Sequence, residues 1–199
     1  MRRKETTRLT ITAVFAAILL LQSFVPNIGY IRLTGALPAI TTLPLTIAIY
    51  GSLMGQRAGF LFGLFWGVTR LILAYTQPGD PVSLMLFQKP LISLVPSIAA
   101  GWLPGLISAK AGESKWRYVL GGAATSLANT FLVIGIASLQ FMNNTHFISL
   151  LGNTTSSNSL FVILMVSLGL NGIFEAIFTA VLTPVIVIPL QKVMKRISV

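Results

Sequence analysis

Apolar runs of about twenty residues recur along the whole chain with short polar breaks between them, and this leaves few folds open. An α-helix rises ~1.5 Å per residue, so a run of ~20 crosses the ~30 Å hydrocarbon of a bilayer with its backbone hydrogen bonds satisfied internally. Of the 199 residues, 54% are hydrophobic and 9% charged, against roughly 25% charged in a soluble domain, and the mean hydropathy is +0.84. The length holds about six such helices with short connections and leaves no room for a soluble domain beside them. The expectation is an all-α membrane protein, one unit over residues 1–199, with six transmembrane helices.

The polar breaks orient these helices. The runs cover residues 9–25, 38–53, 58–75, 85–109, 118–141 and 160–190, and the first follows a basic leader without a clear cleavage site, so it reads as a retained helix. Eleven of the fourteen Lys and Arg fall at the N-terminus, at Arg57, between Lys110 and Arg117, and at the C-terminus. These are alternate ends of the six runs. The positive-inside rule therefore places both termini in the cytoplasm and the loops around residues 26–37, 76–84 and 142–159 outside. Residues 26–37, with Tyr30, Arg32 and Thr34, are too polar to span and fold back on the membrane surface. Residues 142–159 read as a loop whose Asn143, Asn153, Thr154 and Asn158 offer hydrogen bonds to solvent or to a ligand. Pro90, Pro96 and Pro104 predict kinks in the fourth run, and Pro184 and Pro189 a bend or break in the last.

The same inventory excludes several functions. A net charge of +10 would suit nucleic acid, but the basic residues stand at helix ends and are not interleaved with exposed aromatics. The absence of cysteine rules out disulfides, thiolate catalysis and cysteine-ligated metals, and the single His146 cannot build a histidine metal centre. Neither a metal nor a cofactor is expected. Of the four acidic residues, Glu5 and Glu113 fall on the cytoplasmic side, Asp80 in an outer loop and Glu175 inside the last run. No Ser/His/Asp or paired-carboxylate arrangement can be assembled from them, so the chain is not expected to be an enzyme. A proton- or sodium-coupled carrier uses carboxylates inside the membrane, and Glu175 is the one candidate.

What remains is recognition, and residues 57–90 concentrate it. Gly59, Gly63 and Gly67 recur every fourth residue and form a packing ridge. Arg70 follows on the same helix, about 20 Å beyond Arg57 at ~1.5 Å per residue and so nearer the outer side. An unpaired guanidinium there is costly, and Glu175, a helix end or an anionic ligand could each supply its partner. Lys89, beside Phe87 and Gln88, either snorkels to the headgroups or meets a ligand. Asn129 and Asn171 lie within spans, where an amide either ties helices together or binds. Trp66, Tyr75 and Phe87 either pack and anchor or stack on a ligand. In the first helix Ala13 and Ala17 stand four apart with Ala16 beside them, a small-residue face that another helix can approach closely.

Taken in order, AVFAA (13–17), RLILAYTQP (70–78), QKPLISLVP (88–96), TSLANTF (125–131) and LNGIFEAI (170–177), on six short helices behind a basic N-terminus, resemble the substrate-binding S component of energy-coupling factor (ECF) vitamin transporters. The resemblance implies a multi-pass protein of the bacterial cell membrane that binds a vitamin near the outer face. It also implies docking, through Ala13, Ala16 and Ala17, on a module of one transmembrane coupling subunit and two ATPase subunits. The missing coupling carboxylates fit, since the partners hydrolyse ATP, and the chain carries no Walker motif. Within the family the chain most resembles the pantothenate and hydroxymethylpyrimidine/pyridoxine group. Tyr75 would join the ligand site by stacking, Arg70 and Lys89 would suit a carboxylate, and the amides Gln88, Asn129 and Asn171 would suit hydroxyl and amide groups. Pantothenate has all three, which makes it the leading ligand. The alternatives are a pyridoxine or hydroxymethylpyrimidine S component, a solitary secondary carrier coupled through Glu175, and a membrane protein whose polar groups only hold helices together.

Overall fold

A computed structural model describes residues 2–25, 28–31, 40–77, 81–111, 114–151 and 160–197. Eight helices and one short ladder among the described residues follow in the order α1 (Arg2–Phe24), β1 (Tyr30–Ile31), β2 (Ile40–Thr41), α2 (Leu43–Met54), α3 (Gln56–Thr76), α4 (Pro81–Phe87), α5 (Pro90–Lys110), α6 (Trp116–Phe141), α7 (Thr145–Leu150) and α8 (Leu160–Ile197). Among the described residues, five helices are long and apolar enough to cross a membrane: α1, α3, α5, α6 and the Leu168–Met194 part of α8. The sixth expected span is shorter than the sequence suggests. Its helix, α2, has 12 residues, about 18 Å at ~1.5 Å per residue. Every residue of α2 from Leu43 to Ser52 is buried. Its all-round apolar surface is therefore that of a core helix.

The helices alternate in direction, as their paired contacts show. In α1 and α2, Thr12 bonds the Tyr50 hydroxyl at 3.0 Å while Gln22 bonds Thr42 at 2.9 Å and Thr46 at 2.8 Å. Gly55 alone joins α2 to α3, at φ 88° and ψ 176°, a backbone region open essentially to glycine. The Gly59, Gly63 and Gly67 ridge of α3 then lies on α5. A Cβ at Gly59 would stand 2.2 Å from the Gly101 carbonyl oxygen, one at Gly63 2.4 Å from that of Ser97, and one at Gly67 2.9 Å from that of Ser93. The ridge is packing, as its rhythm suggests. A second close seam joins α6 to α8, where Thr179 donates to the Gly122 carbonyl at 2.9 Å and shares a 2.9 Å hydroxyl contact with Ser126. The N-terminal turns of α1 and the last turns of α8 line one apolar groove of about 470 Å³, so both ends of the chain lie at the same end of the bundle.

Three other expectations change in detail. The fourth run is two helices, α4 and α5, because Pro90 drives the preceding residue out of helical geometry; Lys89 is extended at φ −86° and ψ 117° and Pro90 opens α5. Pro184 and Pro189 do not interrupt α8, a continuous 38 residues. Residues 142–159 are not all loop. Asn144 accepts a 2.9 Å hydrogen bond from the Phe147 amide and caps α7, and Phe147 is buried against Phe141 with ring centroids 4.4 Å apart.

Candidate functional site

The ridge that seats α3 on α5 also aims Arg70 into the bundle. One turn beyond Trp66 on α3, its guanidinium lies 4.8 Å from the Trp66 ring and 4.0 Å from the Phe87 ring. Two aromatic faces thus supply the attraction that water would otherwise give. Its Nη1 donates to Asn129 Oδ1 on α6 at 2.9 Å and to Ser97 Oγ on α5 at 3.2 Å. Trp66, Ser97 and Asn129 are 2%, 0% and 9% exposed. Arg70 therefore stands at the junction of α3, α5 and α6.

Glu175 forms the acidic half of the same interior. It is 4% exposed, and its Oε1 accepts from the Thr41 amide at 2.9 Å, the Thr41 hydroxyl at 2.6 Å and Asn171 Nδ2 at 3.2 Å. The β1–β2 ladder, pairing Tyr30 with Thr41 and Ile31 with Ile40, holds Thr41 over α8. Because a carboxylate only accepts, the bond to Glu175 fixes the Asn171 amide with its nitrogen toward Glu175. Ser126, one turn from Asn129 on α6, shares its hydroxyl contact with Thr179 of α8, linking the two halves. The opposite charges of Arg70 and Glu175 attract, and each also has neutral partners of its own. Such a cluster offers a fixed cation, a fixed anion and two amides within a low-dielectric interior, the means to orient a small polar molecule.

A buried carboxylate is held by its donors, and Thr41→Val removes one of them without opening a cavity. The variant is expected to lower stability by about 1.5–3 kcal/mol, the range for a hydrogen bond to a charged group. Thr41→Ser should restore most of it. Thermal unfolding of the purified protein in detergent checks both.

The other expected site residues fall elsewhere. Tyr75 is 67% exposed and its hydroxyl donates to the Gln88 carbonyl at 3.0 Å, while Gln88 Nε2 donates to the Ala74 carbonyl at 2.9 Å. Together they clasp the end of α3 to the α4–α5 break. Lys89 is exposed at the start of α5, its Nζ 5.9 Å from the centroid of the Phe141 ring. Hence Arg70 and Asn129 meet directly and Asn171 meets Glu175, whereas Gln88, Tyr75 and Lys89 form a separate rim. Ala13 and Ala17 are exposed on α1, and Ala16 packs partly against the Leu19–Ile47–Trp66 cluster. Asn143 is exposed in the turn before α7. Arg32, Thr34, Asp80, Glu113, Asn153, Thr154, Asn158 and the Tyr30 side chain lie outside the described residues.

Two members of the cluster carried no expectation of a role from sequence. Ser97 looks like any small residue of an apolar helix; only its place opposite Arg70 gives it one. Thr41 precedes its helix and reaches Glu175 through a ladder that no local periodicity marks.

Long antiparallel apolar helices around a charged, amide-bearing interior define a multi-pass helical membrane protein with a polar cluster inside the bundle. Residues 7–187 match the family described as ECF transporter, substrate-specific component, and the chain belongs to that family. It is thus a substrate-binding transporter subunit that works with an ECF module, and not an enzyme. It is 38% identical over 152 residues, 71% of this chain and 72% of the relative, to the pantothenate transporter PanT of Leuconostoc mesenteroides subsp. mesenteroides.

Proposed function

We propose that the chain is the pantothenate-binding S component of an ECF transporter in a bacterial cell membrane. The observation that carries this reading is the interior cation: Arg70, held by Ser97 and Asn129, in a chain 38% identical to a relative named as a pantothenate transporter. A carboxylate is the natural partner of a desolvated guanidinium. Asn129, Asn171 and Glu175 supply acceptors and donors for the hydroxyl and amide groups of the same molecule. Pantothenate joins all of these on one short chain. Gln88, Tyr75 and Lys89 form the rim through which it enters, with both termini in the cytoplasm and the rim outside. Calorimetry on the purified protein with pantothenate, pyridoxine and hydroxymethylpyrimidine tests the reading. Heat from pantothenate and from neither of the others is expected; binding of either rival, or of none, would sink it.

Delivery then needs the partners, a transmembrane coupling subunit and two ATPases, docked on the Ala13, Ala16 and Ala17 face. The exposure of Ala13 and Ala17 supports this assignment, because a large side chain there meets nothing inside the bundle. Ala17→Trp is expected to leave the pantothenate dissociation constant unchanged and to slow ATP-driven uptake about tenfold, the effect of ~1.4 kcal/mol of lost docking energy. Binding isotherms and uptake by proteoliposomes carrying the whole complex separate the two effects. Lost binding would assign the alanines to internal packing.

A further inference from the structure

Two buried polar atoms of the cluster are left over when the hydrogen bonds among the described residues are counted, the acceptor Asn171 Oδ1 and the donor Trp66 Nε1, and the donor lies against Arg70. Trp66 Nε1 is buried and has no hydrogen-bond partner among the described residues, although the ring itself is 2% exposed and held on all sides. A buried indole N–H ordinarily finds an acceptor, and an unmet donor in a low-dielectric interior is costly. A phenylalanine would carry no such donor, at the expense of a smaller packed volume.

Its neighbour indicates what kind of acceptor it meets. The Arg70 guanidinium packs on the face of the same indole, so the ring's edge donor lies beside a cation. Two adjacent donors, one of them charged, favour an anionic acceptor with two oxygens. We propose that Trp66 is a ligand-binding and specificity-determining residue, whose Nε1–H donates to one oxygen of the ligand's carboxylate while Arg70 engages the carboxylate's charge. This rests on the reading of the chain as a pantothenate binder. It places the carboxylate deep, one turn of α3 closer than Arg70 to the end of the bundle that carries the termini.

Trp66→Phe keeps an aromatic ring and removes the N–H together with the fused pyrrole part of the indole, so it also opens a small cavity in the core. The test is calorimetry of wild type and W66F with pantothenate and with pantothenol, in which a hydroxymethyl group replaces the carboxylate. W66F is expected to bind pantothenate about tenfold more weakly, as for one hydrogen bond to a charged group, and pantothenol as well as wild type does. The ligand-free W66F should still unfold cooperatively, somewhat below wild type because of the cavity, so the contrast between the two ligands carries the test. Unchanged affinity for pantothenate, or an equal loss for both ligands, would each overturn the assignment; the equal loss would mean that the smaller ring, and not the missing N–H, weakens binding. Failure of the functional reading looks different: wild type itself would not bind pantothenate, and the Trp66 assignment would fall with it.

Discussion

Arg70→Gln is expected to weaken pantothenate binding by at least about 100-fold, a loss within the ~2–5 kcal/mol that follows truncation of one member of a desolvated charge pair. Glutamine is shorter but keeps a donor amide, and the seam between α3 and α5 rests on the glycine ridge and stays closed, but the fixed positive charge is gone. Two effects then act in the same direction. The ligand carboxylate loses its partner, and Glu175, already buried, becomes the dominant charge of the cluster and repels it. Arg70→Lys restores the charge without the planar guanidinium that stacks on Trp66 and Phe87, and an intermediate loss of about tenfold is expected. Lys89→Ala is the control: an exposed cation at the rim contributes little to binding energy once solvent screens it, and a change below about threefold is expected. Titration calorimetry on the three variants, each first shown to melt cooperatively, provides the measurement. Wild-type affinity in Arg70→Gln with a large loss in Lys89→Ala would move the carboxylate from the interior to the rim.

The helices were legible in the sequence because their chemistry is local. The starts and ends of α3, α5 and α6 fall within a few residues of the apolar runs. The three-residue spacers between Gly59, Gly63 and Gly67 foretell the close seam that the backbone then shows. Where expectation and structure part, the deciding force is one that a hydropathy pattern does not carry. Residues 38–42 are as apolar as a helix start, yet Ile40 and Thr41 pair with β1, and the helix begins only at Leu43. The run from residue 85 is uninterrupted in hydropathy, and a single steric clash ahead of Pro90 divides it.

The interior polar cluster, the candidate site, was legible by kind of residue and not by pairing. That a guanidinium, a carboxylate and two amides inside the membrane need partners follows from desolvation alone, and all four lie in the interior cluster. Which partner each takes depends on which helix faces meet, and one sequence gives the phase of a helix but not its neighbour. From sequence Arg70 is open to Glu175, a helix end or an anionic ligand; Asn129 and Ser97, on two other helices, hydrogen-bond it. Lys89 and Tyr75 have the right chemistry in the right segment. The α4–α5 break turns Lys89 to the rim, and Tyr75, at the end of α3, reaches the same break through the Gln88 carbonyl.

Gly63→Leu is expected to be the most damaging single change to the fold. A Cβ at Gly63 would lie 2.4 Å from the Ser97 carbonyl oxygen, 3.0 Å from Ile98 Cα and 3.2 Å from Gly101 Cα. All three are backbone atoms of α5, so no side chain can swing aside and the two helices must separate. Overpacking by small increments costs about 1–3 kcal/mol, and a whole leucine against backbone should exceed that range, leaving little of a typical ~5–15 kcal/mol stability. The expected result is aggregation on size-exclusion chromatography, or a broad transition far below that of wild type. Gly135→Leu separates this from any general dislike of leucine for glycine: nothing stands within 4 Å of its added Cβ, and the loss of a helical glycine should stabilise α6 by about 0.5–1 kcal/mol. Gly63→Ala, which adds the Cβ alone, should fall between them and carry a second signature. Moving α3 away from α5 lengthens the 3.2 Å contact from Arg70 to Ser97, so its pantothenate affinity should drop along with its melting temperature. A Gly63→Leu protein that melts like wild type would mean that α3 and α5 do not meet at this seam, and that Arg70 owes its position to something other than the glycine ridge beneath it.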